Sequence, residues 1–360
     1  MPIPKAIKTV LLLTLVVISG CGSQEGARYA LPGKVGASGE IVVVCENSVW
    51  LGAVGDTLRS VFGQPFPVLP QYEPWFDLVH LTPESFDRFW KPHRNIIDLE
   101  VADRVDTQSP NVSIYREKYS RHQIYIEGAA RTSGDLAFAL SDRGDEMRSI
   151  LHRTEVDRFG QLMALDENEV IKAELVEWMQ LELTVPRDAR WAKKNDEMGW
   201  IDRQLTRMKG GDNHDVQQGF VIYREAYVSD QQFSMQARLD KRNAVMRKHL
   251  PGPTKGSYMT TEMRYVPSYE ETVFNGQFAS ELRGLWRIEN NYMGGPFYSL
   301  TILDERSGEL VTVEGYTYAP YFDKREYMRE VESIVRSLQW AEPTPEPTLE
   351  TTTETKSEVE

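Results

Sequence analysis

A nine-residue apolar run, residues 10–18, stands three residues before Cys21 and follows Lys5 and Lys8. This run decides which part of the chain has to fold. A membrane-spanning helix needs about 20 apolar residues, so the run is too short to be a stable span. A basic start and a short apolar stretch read as a secretory signal core. The chain holds only two cysteines, Cys21 and Cys45. At most one disulfide could form, so a disulfide framework is excluded and a hydrophobic core has to hold the fold.

Ile18-Ser19-Gly20-Cys21 has the form of a lipobox. Ser19 and Gly20 are narrow enough for a peptidase that cuts before a cysteine, and the Cys21 thiol supplies the atom to be lipidated. The expectation is removal of residues 1–20 and a Cys21 bearing a diacylglyceryl thioether and an acylated amine. Two or more acyl chains anchor stably where one is marginal. Cys45 would then be the only free thiol. It ends the apolar Ile41-Val42-Val43-Val44, a buried strand in which cysteine acts as a small hydrophobe.

Removing Lys5 and Lys8 with the leader takes the formal charge from −13 to −15. Nucleic-acid binding requires clustered Lys and Arg to displace counterions, and this acidic balance argues against it. It equally opposes electrostatic docking of the whole body on anionic lipid. Residues 21–39 are rich in Gly, Ser and Ala and read as a flexible tether. Residues 341–360 are Pro/Thr/Glu-rich, with six Glu against one Lys, and read as a disordered acidic tail. The folded body is expected over about 40–340.

Within that body the patterns predict an α+β fold, with mixed and antiparallel sheets and flanking helices. Thr82-Pro83-Glu84 has the form of a helix start. Asp166 with Glu169, and Asp323 with Glu326, have the form of capping boxes. Met198, Ile201, Leu205 and Met208 predict a helix over 196–209 that stops at Gly210-Gly211. Residues 297–303 and 309–318 flank a turn and predict a hairpin, and so do 114–119 and 122–127. Residues 220–228 and 282–288 read as further strands. Ile124-Tyr125-Ile126-Glu127-Gly128 matches Val311-Thr312-Val313-Glu314-Gly315 in pattern, and residues 41–50 resemble 181–191. These matches suggest an internal duplication, with lobes at 40–165 and 166–340.

Catalytic signatures are sparse. The six histidines have no metal-ligand spacing, and neither H-E-x-x-H nor C-x-x-C occurs; no metal and no cofactor is expected. Asp212-Asn213-His214-Asp215 reads as an exposed turn. Gly252-Pro253-Thr254-Lys255-Gly256-Ser257 has phosphate-loop residue types without the order, and its proline removes a backbone donor. A glycosidase-like carboxylate pair would fall on Glu127 and Glu314, both at strand ends before glycine.

The densest unusual stretch is 283–298, followed by Tyr316 and Tyr318. Its rings and polar groups nominate a binding surface of Trp286, Arg287, Asn290, Asn291, Tyr292, Tyr298, Tyr316 and Tyr318. Such rings stack on sugar faces or anchor a protein partner. Residues 283–298, 315–326 and 253–259 resemble the domain-of-unknown-function 4837 family of Bacteroidota lipoproteins, over most of 40–340. The resemblance implies a lipoprotein and assigns no activity or catalytic residue.

The expected function is that of a lipid-anchored cell-envelope protein, a non-catalytic binding or structural module. It would be held to the membrane through Cys21, at the outer membrane facing the periplasm, and would meet an envelope glycan or protein. The alternative is an envelope hydrolase acting on glycan or peptidoglycan through paired carboxylates.

Overall fold

A computed structural model describes residues 30–105 and 111–341; Cys21 and the acidic tail beyond residue 341 lie outside them. The first half contributes β1 (Glu40–Val44), α1 (Asn47–Trp50), α2 (Ala53–Phe62), β2 (Asp77–Leu81), β3 (Asn95–Val101), β4 (Asn111–Arg116), β5 (Ile124–Ala130), α3 (Ser133–Asp142) and α4 (Gly144–Ala164). Its sheet has the order β2-β1-β3-β5-β4, with β4 the antiparallel member. The unbroken apolar run of β1 fits a strand covered on both faces. Ile41, Val43 and Cys45 pack under α2, α3 and α4, whereas Val42 and Val44 meet Phe86, Trp90 and Tyr119 from loops.

The second half contributes α5 (Glu169–Met179), β6 (Leu181–Glu182), β7 (Arg190–Lys194), β8 (Met198–Lys209), β9 (Asp212–Ala226), α6 (Met235–His249), β10 (Met259–Thr261), β11 (Ser268–Phe274), β12 (Gln277–Ile288), β13 (Gly294–Asp304), β14 (Glu309–Tyr318), α7 (Arg325–Val335) and β15 (Gln339–Trp340). Eight of these strands form one antiparallel sheet, β10-β12-β13-β14-β9-β8-β7, with β11 also paired to β12. The α5 and α7 helices cover one face and α6 covers the other. The chain is thus α+β, with mixed and antiparallel sheets.

The α7 helix joins the halves. Glu73, from the first half, accepts from the backbone N–H of Lys324 (2.7 Å) and of Arg325 (2.7 Å) at its start. Arg325 pairs with Asp77 at 2.8 Å, and the fully buried Arg329 donates to the Trp75 carbonyl at 2.6 Å. Glu332 holds His152 of α4 at 3.0 Å.

Several sequence expectations change here. Residues 198–209 are strand β8, not a helix. Both faces of its first half are buried and its far half is exposed, so the alternation that marks a strand is erased. Gly210-Gly211, with φ of +65° and +93°, closes the β8–β9 hairpin and is no helix end; such positive angles suit the tight hairpin turn. The cap of α5 is Asn168, which accepts from Ile171 N–H at 3.1 Å, and not Asp166. The α7 helix has no side-chain cap of its own at Lys324. Thr82-Pro83-Glu84 opens only a single 3-10 turn, Pro83–Ser85. Asp212-Asn213-His214-Asp215 begins β9 and is no turn.

The two pattern-matched segments sit in different surroundings. β5 is parallel to β3, while β14 is antiparallel to both its neighbours; Leu181–Glu182 pairs only with β15. What the segments share is a glycine where a helix comes close. A Cβ on Gly128 would meet Leu136 of α3 at 3.2 Å, and one on Gly315 would meet Val331 of α7 at 2.5 Å.

Candidate functional site

The nominated surface divides between core and exterior. Trp286 is 2% exposed and packs beneath α6, edge-on to Tyr316 at 5.4 Å, with its Nε1 donating to the Thr317 carbonyl at 3.3 Å. Tyr316 is buried against it and accepts from Trp200 Nε1 at 3.1 Å. Tyr298 is fully buried on the opposite face, under the Arg283 guanidinium at 4.3 Å. Strand alternation explains the split: Phe297 faces α6 and Tyr298 faces α7. These three rings belong to the core. Arg287, Asn291 and Tyr318 are half-buried, Asn290 is exposed, and Tyr292 is fully exposed.

Of the exterior members, Arg287, Asn291 and Tyr292 line a groove of about 900 Å³ with a segment the sequence did not flag, 261–264, while Asn290 and Tyr318 lie off it. Its walls carry Glu262, Met263, Arg264, Arg287, Asn291 and Tyr292, with Trp286 at the floor. Asn290, at φ +59°, turns the chain between β12 and β13, and Asn291 Oδ1 accepts from Met293 N–H at 3.0 Å. That turn lifts the Tyr292 ring clear of the body. Glu262 accepts from Arg264 at 2.7 Å, and this hydrogen bond holds its carboxyl down to about 2. Arg287 pairs with Glu289 at 2.6 Å. An exposed ring beside planar, hydrogen-bonding groups can receive a ligand with one apolar face and many hydroxyls. The stretch 261–264 was missed because it has no periodicity; Met263, Tyr265 and Val266, all exposed, were the available signal.

The carboxylates nominated as a catalytic pair do not meet. Glu314 is fully buried and held by Arg242 at 2.8 and 2.7 Å; burial pushes its carboxyl up. Glu127 lies on the other sheet, paired with Lys118. The carboxylate beside Glu127 in register is Asp98, which accepts from Tyr125 Oη at 2.5 Å and is pushed up by burial. Lys118 lies 4.0 Å above the Tyr125 ring.

A second cleft, of about 260 Å³, lies between the halves and is lined by His152, Glu281, Arg283, Glu332 and Arg336. Glu332 binds both His152 (3.0 Å) and Arg283 (2.9 Å), and its carboxyl is held far below the usual range, chiefly by the Arg283 guanidinium and further by its hydrogen bond to His152, against the cost of burial. Glu332 and Glu281 there each pair with an arginine, while Glu270, also on the lining, forms no ion pair among the described residues. Cys45 is buried, which pushes its thiol up to about 11. Among the described residues no group of three or more His, Cys, Asp or Glu is arranged to hold a metal ion.

Two family models match the chain. Residues 34–164 match one described as Domain of unknown function (DUF8532), and residues 168–337 match one described as Domain of unknown function (DUF4837). The resemblance read over most of 40–340 is therefore confined to the second half. No curated protein matches the sequence. Among solved structures, the Ran-binding protein Mog1p of Saccharomyces cerevisiae is similar at 9% identity and a TM-score of 0.29, over 45% of this chain and 90% of that one. LpqN of Mycobacterium tuberculosis, described as involved in cell envelope biogenesis, is similar at 15% identity and a TM-score of 0.27, over 44% and 81%. Likenesses this weak carry no argument about fold or function. Over residues 168–337 the resemblance to the DUF4837 family is thereby shown.

Proposed function

We propose that this is a lipid-anchored, non-catalytic binding module of the cell envelope, and that the groove at 261–295 receives an envelope glycan. The observation that carries this reading is the Tyr292 ring, fully exposed beside Arg264, Arg287 and Asn291 at the mouth of the groove. An aromatic face can stack on a pyranose ring, while guanidinium and amide groups satisfy its hydroxyls. The anchor rests on the lipobox at Cys21. No helix among the described residues is long and apolar enough to cross a membrane. Outer-membrane attachment facing the periplasm accompanies the anchor in this reading. The hydrolase alternative lacks comparable support, since Glu127 and Glu314 lie on different sheets and each already has a cationic partner.

A glycan array probed with the full mature chain tests the binding reading. The expected result is a defined set of envelope-type glycans that bind, with signal lost in Arg264→Ala and Tyr292→Ala. Absence of any glycan signal from the wild-type chain would count against it. Mass spectrometry of the native N-terminus tests the anchor, and an unmodified Cys21 would remove it.

A further inference from the structure

Among the described residues the β11 strand is an edge of the eight-stranded sheet, paired only with β12. The two-residue turn Asn275-Gly276, with φ of +49° and +81°, fixes which of its backbone groups face outward. In such a hairpin the flanking pair, Phe274 and Gln277, is hydrogen-bonded, and bonding alternates from there. Residues 268, 270, 272 and 274 therefore bond to β12, and the backbone of Tyr269, Glu271 and Val273 faces out. No described residue hydrogen-bonds to that outward backbone. The strand is exposed along most of its length.

Beside this edge lies a cavity of about 420 Å³ walled by Tyr227, Phe233 and Phe278 and by Asp230, Glu271 and Glu305. Among the described residues no Lys or Arg lines it, and none forms an ion pair with those three carboxylates. The nearby cations are engaged elsewhere: Arg238 and Lys241 with Glu225, Arg306 with Asp304. Phe233 and Phe278 meet edge to face at 4.9 Å. Ser280 lies opposite Glu271 in register and on the same face. It is 2% exposed, and its hydroxyl has no hydrogen-bond partner among the described residues. Aromatic faces with uncompensated carboxylates are the chemistry that holds an ammonium or guanidinium group.

We propose that the free edge of β11 docks an extended, basic segment of a partner protein, which adds to the sheet as a ninth strand and places a Lys or Arg side chain in the adjoining aromatic–carboxylate cavity. Edge addition of this kind draws affinity from main-chain hydrogen bonds and specificity from pockets for alternate side chains. Charge selects the occupant. A second copy docking β11 on β11 would bring Glu270 and Glu271 against their counterparts. The chain's own tail carries six Glu and one Lys over 341–360 and would be repelled too. The opposite sheet edge, β7, is basic, but its cations are already engaged, Arg190 with Asp202, Lys194 with Glu174 and Lys193 with His249. A bulge between Trp191 and Lys193 also breaks its line.

The test is a phage-displayed library of random nine-residue peptides panned against the full mature chain. Enriched sequences are expected to carry Lys or Arg at alternate positions. Their affinity should fall about fivefold or more in Glu271→Gln, and by a similar factor when alternate peptide amides are N-methylated, the scale of one lost net hydrogen bond. Val273→Pro, which removes an outward N–H, should act likewise while circular dichroism stays unchanged. Enrichment without basic alternation, or N-methylated peptides that bind as well as the parents, would overturn the proposal. So would concentration-dependent self-association that Val273→Pro abolishes, because the edge would then be an interface between copies.

Discussion

Arg242 and Glu314 show how single residues bear on stability here. Both are fully buried, two hydrogen bonds join them, and the guanidinium lies 3.7 Å above the Phe297 ring. Breaking such a pair by removing one partner leaves a charge in the core with nothing to balance it, at a cost of roughly 3–5 kcal/mol. Glu314→Gln is expected to lose about that much in urea denaturation, and Arg242→Met combined with Glu314→Leu to recover a large part of it. The pair also shows what sequence patterns reveal at this scale. Glu314 was read as a strand end facing a cleft because it precedes Gly315. In the fold that glycine admits Val331, and Glu314 points the other way, under α6. Tyr292 was legible as an exposed ring because it sits in a polar turn next to Gly294-Gly295. Trp286, Tyr298 and Tyr316 share its aromatic chemistry, and only the strand faces, fixed by register, separate them from it.

At the scale of elements, α7 depends on a partner from the other half of the chain. Its first backbone donors are satisfied by Glu73, some 250 residues earlier. A carboxylate at a helix N-terminus also meets the positive end of the helix dipole. Glu73→Ala is expected to lower stability by about 1–2 kcal/mol, the range for a lost cap, and thermal melting measures it. Asp323 and Glu326 had the spacing of a local capping box, and Tyr327, Val331 and Ile334 recur at helical intervals along α7. Its cap was not legible, because a partner from a remote loop has no sequence signature. The β8 strand failed to read as a strand for a different reason. Its apolar residues fall at helix-like intervals while tertiary packing covers both faces of its first half, so neither period describes it. The β13–β14 hairpin was legible because its turn and strands agree with their surroundings; β4–β5 was read as a hairpin, but residues 117–123, part of them read as strand, form its loop.

At the scale of the whole molecule, a buried ionic seam holds the two halves together. His152 of α4 sits edge-on to Trp75 and Phe66, at 5.0 and 5.6 Å, and bonds to Glu332 of α7. Burial lowers its proton affinity below the ordinary value of 6.5, with Arg329 and Arg283 adding to that effect and Glu332 opposing it. The unfolded chain therefore binds more protons at this residue than the folded one as pH falls below 6.5. Stability is greatest above that pH and declines as pH drops toward the lowered folded value. His152→Gln should flatten the dependence between about pH 7 and 5.5, read as the urea midpoint at each pH. No spacing could have nominated this seam, since its members lie on α4, β12 and α7. The two pattern-matched segments lie in differently connected sheets, and in each a glycine, Gly128 or Gly315, lets a helix approach a strand.

The central claim is that the exterior of the 283–298 stretch binds while its interior supports the fold. Equilibrium titration of the strongest array glycan, with a melting curve for each variant, tests it most directly. Tyr292→Ala is expected to weaken binding about tenfold, from roughly 1.4 kcal/mol of stacking, with unchanged melting. Trp286→Ala is expected to lose about 3–5 kcal/mol of stability as a core truncation. Undiminished affinity in Tyr292→Ala, or a Trp286→Ala variant that melts like the wild type yet fails to bind, would contradict the account.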